Sequence, residues 1–105
     1  MFVKALRMSD VPTGSVVGVL HGEDVIAFAN VEGRFYAFSS ECTHSAGWLH
    51  EGILEGCIIS CPMHWGAYDV RTGQAVELPA SLPVQTYVVR TVDGDVEIDL
   101  PGLAG

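Results

Sequence analysis

An all-β fold, an antiparallel sandwich or small barrel, is predicted by three observations. Twelve glycines and five prolines cut the 105-residue chain into short pieces. Those pieces alternate or are β-branched, and no stretch sustains helical periodicity. In chain order the predicted strands are Phe2–Arg7, Ser15–Leu20, Asp24–Asn30, Arg34–Ser39, Cys57–Ser60, Gly66–Val70, Thr86–Thr91 and Val96–Asp99. Between the first two, Ser9-Asp10-Val11-Pro12 has room for one helical turn at most. Glu32-Gly33 reads as the hairpin turn joining the third and fourth strands. Asp93-Gly94 is a stronger signal of the same kind, because glycine accepts the positive φ of a tight hairpin. Glu55-Gly56 and Thr72-Gly73 predict two further turns. Short strands broken at regular turn signals are the mark of sandwiches and small barrels.

Composition narrows the function. With 49% apolar and 17% charged residues the chain has the makings of a folded core. Its length fits one domain, which buries roughly 60–70% of the surface of the unfolded chain. A net charge of −8 argues against phosphate-binding surfaces, and so against nucleic acid and anionic membranes, and favours basic protein patches as partners. The longest apolar runs, such as Val16-Val17-Gly18-Val19-Leu20, are too short to span a bilayer. Met1 to Arg7 holds no apolar stretch of signal-peptide length. Three cysteines, an odd number, do not suit a secreted disulfide framework. A cytoplasmic protein is expected, where cysteines near histidines point to metal.

Between Ser39 and Trp65 the texture changes. All three cysteines, three of the four histidines and both tryptophans fall here. This reads as a loop-built site on a β scaffold. Its centre is Cys42-Thr43-His44, then sixteen residues, then Cys61-Pro62-Met63-His64. Each arm offers one thiol and one imidazole. Ordinary buried cysteines and surface histidines would not need two matched arms. Structural zinc also takes two Cys and two His, but its arms usually pair like with like. A Cys/His nucleophile would leave the second pair unexplained. A two-iron, two-sulfide cluster uses all four residues.

The four-residue pattern resembles that of the Rieske iron–sulfur family, whose motif is Cys-x-His, a spacer of about this length, and Cys-x₂-His. The likeness continues through Gly66-Ala67-Tyr68-Asp69-Val70-Arg71-Thr72-Gly73 and through Leu78-Pro79-Ala80-Ser81-Leu82-Pro83, which is similar to the family's return loop. The resemblance implies a Rieske-like fold in one domain over 1–105. Its scaffold would lie at about 1–39 and 70–105, with a cluster-binding subdomain at about 40–69. It implies one [2Fe-2S] cluster, with Cys42 and Cys61 on one iron and His44 and His64 on the other. Two Fe³⁺, two sulfides, two thiolates and two neutral imidazoles sum to zero charge, so one added electron leaves a single negative charge. Rieske centres run at about −150 to +300 mV.

The surroundings refine the resemblance. The membrane-complex branch bridges its two cluster loops with a disulfide. Here Ser45, Ala46, Gly47 and Met63 stand where that pair would be, and Cys57 alone has no partner for one. Cys57, beside Ile58 and Ile59, is expected to be a small apolar side chain in a strand. The high-potential branch places Ser and Tyr donors two and four residues after the last histidine. Here those positions are Gly66 and Tyr68, which implies fewer donors and a lower potential. Trp48 and Trp65 are expected to shield the cluster or pack under the loops, the alternative being an exposed docking rim. His21 and His50 are expected to be solvated or hydrogen-bonded.

The resemblance to the ferredoxin component of bacterial aromatic ring-hydroxylating dioxygenase systems implies a soluble one-electron carrier and no catalysis by this chain. Its expected partners are an NAD(P)H-dependent flavin reductase and a terminal Rieske non-haem iron oxygenase, and a monomer is expected. The oxygenase subunit itself is excluded. It needs a mononuclear iron site, and only His21 and His50 remain for one. The small subunit of an assimilatory nitrite reductase and a zinc-stabilised interaction module stay as alternatives. Glu41 and Glu51 flank the expected cluster tip and would steer docking.

Overall fold

A computed structural model describes residues 1–43, 47–63 and 65–100. Within these, eleven strands form three antiparallel sheets. The first has the order β1 (Phe2–Arg7), β11 (Asp95–Asp99), β10 (Val89–Val92). The second runs β2 (Val16–His21), β3 (Asp24–Val31), β4 (Arg34–Ser39), β9 (Thr86–Tyr87). The third is β5 (Ile53–Glu55), β6 (Ile58–Ser60), β7 (Ala67–Asp69), β8 (Ala75–Glu77). The fold is all-β and antiparallel, as the patterning predicts.

The middle sheet is buried on both faces, and the two-residue period of a strand sorts its side chains. Ile26, Phe28, Phe35 and Ala37 join a core with Leu6, Val11, Val96, Ile98 and Leu100 of the first sheet and its connections. Their neighbours Ala27, Ala29 and Phe38 face a second core with Cys42, Leu49, Ile59, Cys61, Tyr68 and Val70. Small alanines on that second face leave depth for Tyr68, which is fully buried.

Turn chemistry fixes the hairpins. Glu32 and Gly33 have φ of 53° and 91°, and Asp93 and Gly94 have φ of 50° and 85°, the pair of left-handed residues that matches strand twist. Asn30, buried, ties the β3–β4 turn to the β1–β2 connection. Its Nδ2 donates to the Val11 carbonyl at 2.8 Å, and its Oδ1 accepts the Gly33 N–H at 2.8 Å. On the outer face of β11, Asp95 pairs with Lys4, Glu97 with Arg90 and Asp99 with the N-terminus. Such exposed pairs contribute about 0–1 kcal/mol each.

Several boundaries differ from expectation. The predicted strand Thr86–Thr91 is two strands, broken at Val88, which is exposed. β5 and β8 were not expected, since three residues are too few to show a period. Cys57 sits in the turn before β6, half-buried against the second core, and not in a strand. The helical turn falls at Met8–Asp10, where the Arg7 N–H donates to the Asp10 carboxylate at 2.9 Å.

Candidate metal centre

Two loops of the same construction carry the cysteines. The N–H of Cys42 donates to the carbonyl of Gly47 at 3.1 Å, and that of Cys61 to the carbonyl of Gly66 at 2.7 Å. Each cysteine thus closes a loop on the residue five positions ahead. In the second loop the Trp65 N–H also donates to the Cys61 carbonyl at 3.1 Å. Trp65 has a φ of 61°, a left-handed conformation that costs a non-glycine residue on the order of 1 kcal/mol.

The loops meet at Gly47. A Cβ there would lie 2.7 Å from Cys61 Sγ and 2.8 Å from Met63 Cγ, so glycine is what lets the first loop approach the second. Cys42 is 4% and Cys61 0% exposed, and neither is in a disulfide. Two buried thiols at the contact of two loops fit a soft metal centre. Burial disfavours an isolated thiolate, and a bound cation reverses that preference. His44 and His64, the other predicted ligands, lie outside the described residues. Among the described residues no three metal-capable side chains converge.

Tyr68 on β7 joins the second core to the site. Its hydroxyl lies 3.3 Å from Cys42 Sγ and 2.7 Å from Thr43 Oγ1, and it accepts the Thr43 N–H at 3.2 Å. Burial, and then the hydrogen bond with Cys42, push the Tyr68 hydroxyl above the usual tyrosine range. It therefore remains protonated and able to donate at neutral pH. Thr43 in turn donates to the Leu82 carbonyl at 2.9 Å, anchoring the loop between β8 and β9. At the far end of β7, Arg71 grips the Asp69 carboxylate with Nε at 3.1 Å and Nη2 at 2.8 Å, holding that carboxyl below its ordinary range.

Ser40 anchors the first loop to the scaffold. It is fully buried, and its N–H donates to the Val25 carbonyl at 2.9 Å. Its carbonyl accepts the Leu49 N–H at 2.7 Å. Its hydroxyl accepts the His50 N–H at 3.1 Å and lies 2.7 Å from His50 Nδ1. The imidazole rests on Gly18 of β2, where a Cβ would come within 2.6 Å of the ring. His50 is therefore hydrogen-bonded, one of its two expected states. Nothing in the sequence flagged Ser40 or Thr43: Ser40 stands in no periodic or spaced pattern, and Thr43 is only the spacer between Cys42 and His44.

Both tryptophans keep an exposed surface beside the cysteine loops, as the docking-rim alternative requires. Trp65 is 56% and Trp48 38% exposed, and Met63 and Leu82 are exposed with them. Leu49, next to Trp48, is the residue that packs beneath the loops. Glu41 and Glu51 are exposed as well.

A family model described as the Rieske [2Fe-2S] domain matches residues 1–88. The chain belongs to the Rieske [2Fe-2S] domain family. Over 99 residues, 94% of this chain and 92% of the relative, it is 37% identical to the ferredoxin component of biphenyl 2,3-dioxygenase from Rhodococcus jostii (strain RHA1). The Sphingomonas yanoikuyae B1 ferredoxin has a similar structure, with a TM-score of 0.91 and 34% identity, over 96% of this chain and all of that one. A ferredoxin-type match comes from a complex of reduced oxygenase and oxidised ferredoxin in carbazole 1,9a-dioxygenase, with a TM-score of 0.88, 34% identity and coverage of 92% and 91%. A protein described as a nitrite reductase small subunit is 18% identical at a TM-score of 0.81, which shows the fold alone. The Rieske family's cofactor is a [2Fe-2S] cluster, and the buried thiols and the Tyr68 donor fit it. The Rieske relatives named as ferredoxin components are electron carriers of dioxygenase systems and not their catalytic parts. No described helix is long and apolar enough to cross a membrane.

Proposed function

We propose that Cys42 and Cys61 hold one iron of a Rieske-type [2Fe-2S] cluster and His44 and His64 the other. The chain then carries single electrons from an NAD(P)H-dependent flavin reductase to a terminal Rieske non-haem iron ring-hydroxylating oxygenase. The same reading makes it a cytoplasmic monomer of one domain, with a cluster-binding part at about 40–69 between scaffold segments 1–39 and 70–105. The observation that carries it is the pair of matched loops: Cys61 Sγ lies against Gly47, whose carbonyl closes the Cys42 loop, and Cys42 Sγ lies beside the Tyr68 hydroxyl.

When bound, the cluster supplies a one-electron change without making or breaking a covalent bond in a substrate. The chain's residues do the rest. Cys42 and Cys61 offer two anionic ligands from buried side chains. Tyr68 offers a proton to Cys42 Sγ, which stabilises the more negative, reduced state. The exposed rim of Trp48, Met63, Trp65 and Leu82 lets a partner come close enough for electron transfer. Glu41 and Glu51 give that rim its charge, and the net charge of −8 favours basic partner surfaces.

Mixing the purified chain with a dioxygenase reductase, an oxygenase, NADH and an aromatic substrate tests the reading. Product formation should depend on the chain and cease without it. Rapid reduction by the reductase with no transfer to any oxygenase would overturn the assignment of the acceptor. The nitrite reductase alternative has only the shared fold in its favour.

A further inference from the structure

Among the described residues beside Cys42, two hydroxyl protons face three acceptors. The protons are those of Tyr68 and Thr43. The acceptors are the Leu82 carbonyl, Thr43 Oγ1 and Cys42 Sγ, at 2.9, 2.7 and 3.3 Å from their donors. A carbonyl only accepts, so the Thr43 proton goes to Leu82. The short contact between the two hydroxyls must then be bridged by the Tyr68 proton. That is the same proton Tyr68 offers to Cys42 Sγ. Meanwhile the Thr43 N–H donates to the tyrosine oxygen and holds it in place. Thr43 therefore both fixes the donor and competes for what it donates.

We propose that Thr43 is a positioning residue that divides the Tyr68 proton between itself and the Cys42 sulfur, and so lowers the reduction potential of the cluster. The proposal rests on Cys42 being a cluster ligand. Adding one electron makes the sulfur a stronger acceptor and draws the shared proton toward it. No proton leaves the network and no covalent bond changes. The division is set from the outside, because Leu82, whose carbonyl takes the Thr43 proton, lies on the exposed rim.

The test is protein-film voltammetry of the holo-protein and of T43S, T43V, T43A, Y68F and T43V/Y68F, each with iron and acid-labile sulfide content and an EPR spectrum. T43V and T43A remove the competing acceptor. Their potentials should rise, with the reduction equilibrium shifting up to about tenfold, equivalent to 59 mV for one electron. T43S keeps the hydroxyl and should match the wild type. Y68F should fall below it. The double variant should equal Y68F, because without the tyrosine proton there is nothing to divide. A T43V potential that falls or stays put with the cluster intact overturns the proposal, as does a double variant that still rises by the T43V increment. Loss of the cluster in both T43V and T43A makes Thr43 a structural residue only, and overturns it too. A wild-type protein without iron removes the site itself, and the proposal with it.

Discussion

The two cores of this chain are built on opposite faces of the same strands, and they differ in what holds them. On the scaffold side Ile26, Phe28 and Phe35 share a core with Val96 and Ile98, apolar side chains throughout. On the site side Ala27 and Ala29 face a core that counts Cys42, Cys61 and Tyr68 among its members. The first core is complete as soon as its strands pair. The second contains two buried thiols that a soft cation would hold as thiolates, and a hydroxyl aimed at one of them. The scaffold thus specifies the fold, and the cluster completes the half that carries the chemistry.

Substituting a proposed ligand should break the second half and spare the first. Cys61→Ser, His44→Ala and His64→Ala should each lose or cripple the cluster. Visible absorbance and iron content read that loss, while far-ultraviolet dichroism should still report the scaffold strands. Phe28→Ala should do the reverse. It should destabilise the chain by about 3–5 kcal/mol in denaturant titration, with an intact cluster spectrum in the molecules that remain folded.

The same division governs what could be read from the sequence. β1 and β4 appear with the bounds predicted, because alternation and the turn glycines are local signals. Val88 exposes itself and splits a run of residues that reads as one strand. β5 and β8 are three residues long and leave no period to detect. Spacing singles out Cys42 and Cys61, and the structure buries both. The bonds that shape their loops were not, since Thr43 reaches Leu82 across 39 positions and Ser40 reaches His50 across ten. Leu49 and not Trp48 is the fully buried one of that pair, and hydrophobicity alone does not say which of two such neighbours turns inward.

Two smaller changes sharpen the comparison within the site half. Gly66→Ser places a hydroxyl two residues after His64, where the high-potential branch has its donor. Among the described residues the left-handed glycines are Gly14, Gly22, Gly33, Gly56, Gly73 and Gly94, so Gly66 does not demand glycine on that account. The potential should rise by about a few tens of millivolts, since only the difference in hydrogen-bond strength between redox states counts. An unchanged potential with an intact cluster would mean that a serine at this position does not raise the potential. The weakest effect expected is electrostatic. Glu41→Gln should slow electron delivery to the oxygenase about two- to fivefold at low salt, an effect that fades where the Debye length falls to about 10 Å at 0.1 M. A rate flat in salt would assign the contact to Trp48 and Trp65 instead.

The claim that the site half is completed by a [2Fe-2S] cluster is tested most directly by metal and acid-labile sulfide analysis of the purified wild-type chain. The account predicts two irons and two sulfides per chain, a red-brown protein that loses visible absorbance on reduction, and no stoichiometric zinc. One zinc and no iron in a colourless protein would contradict it.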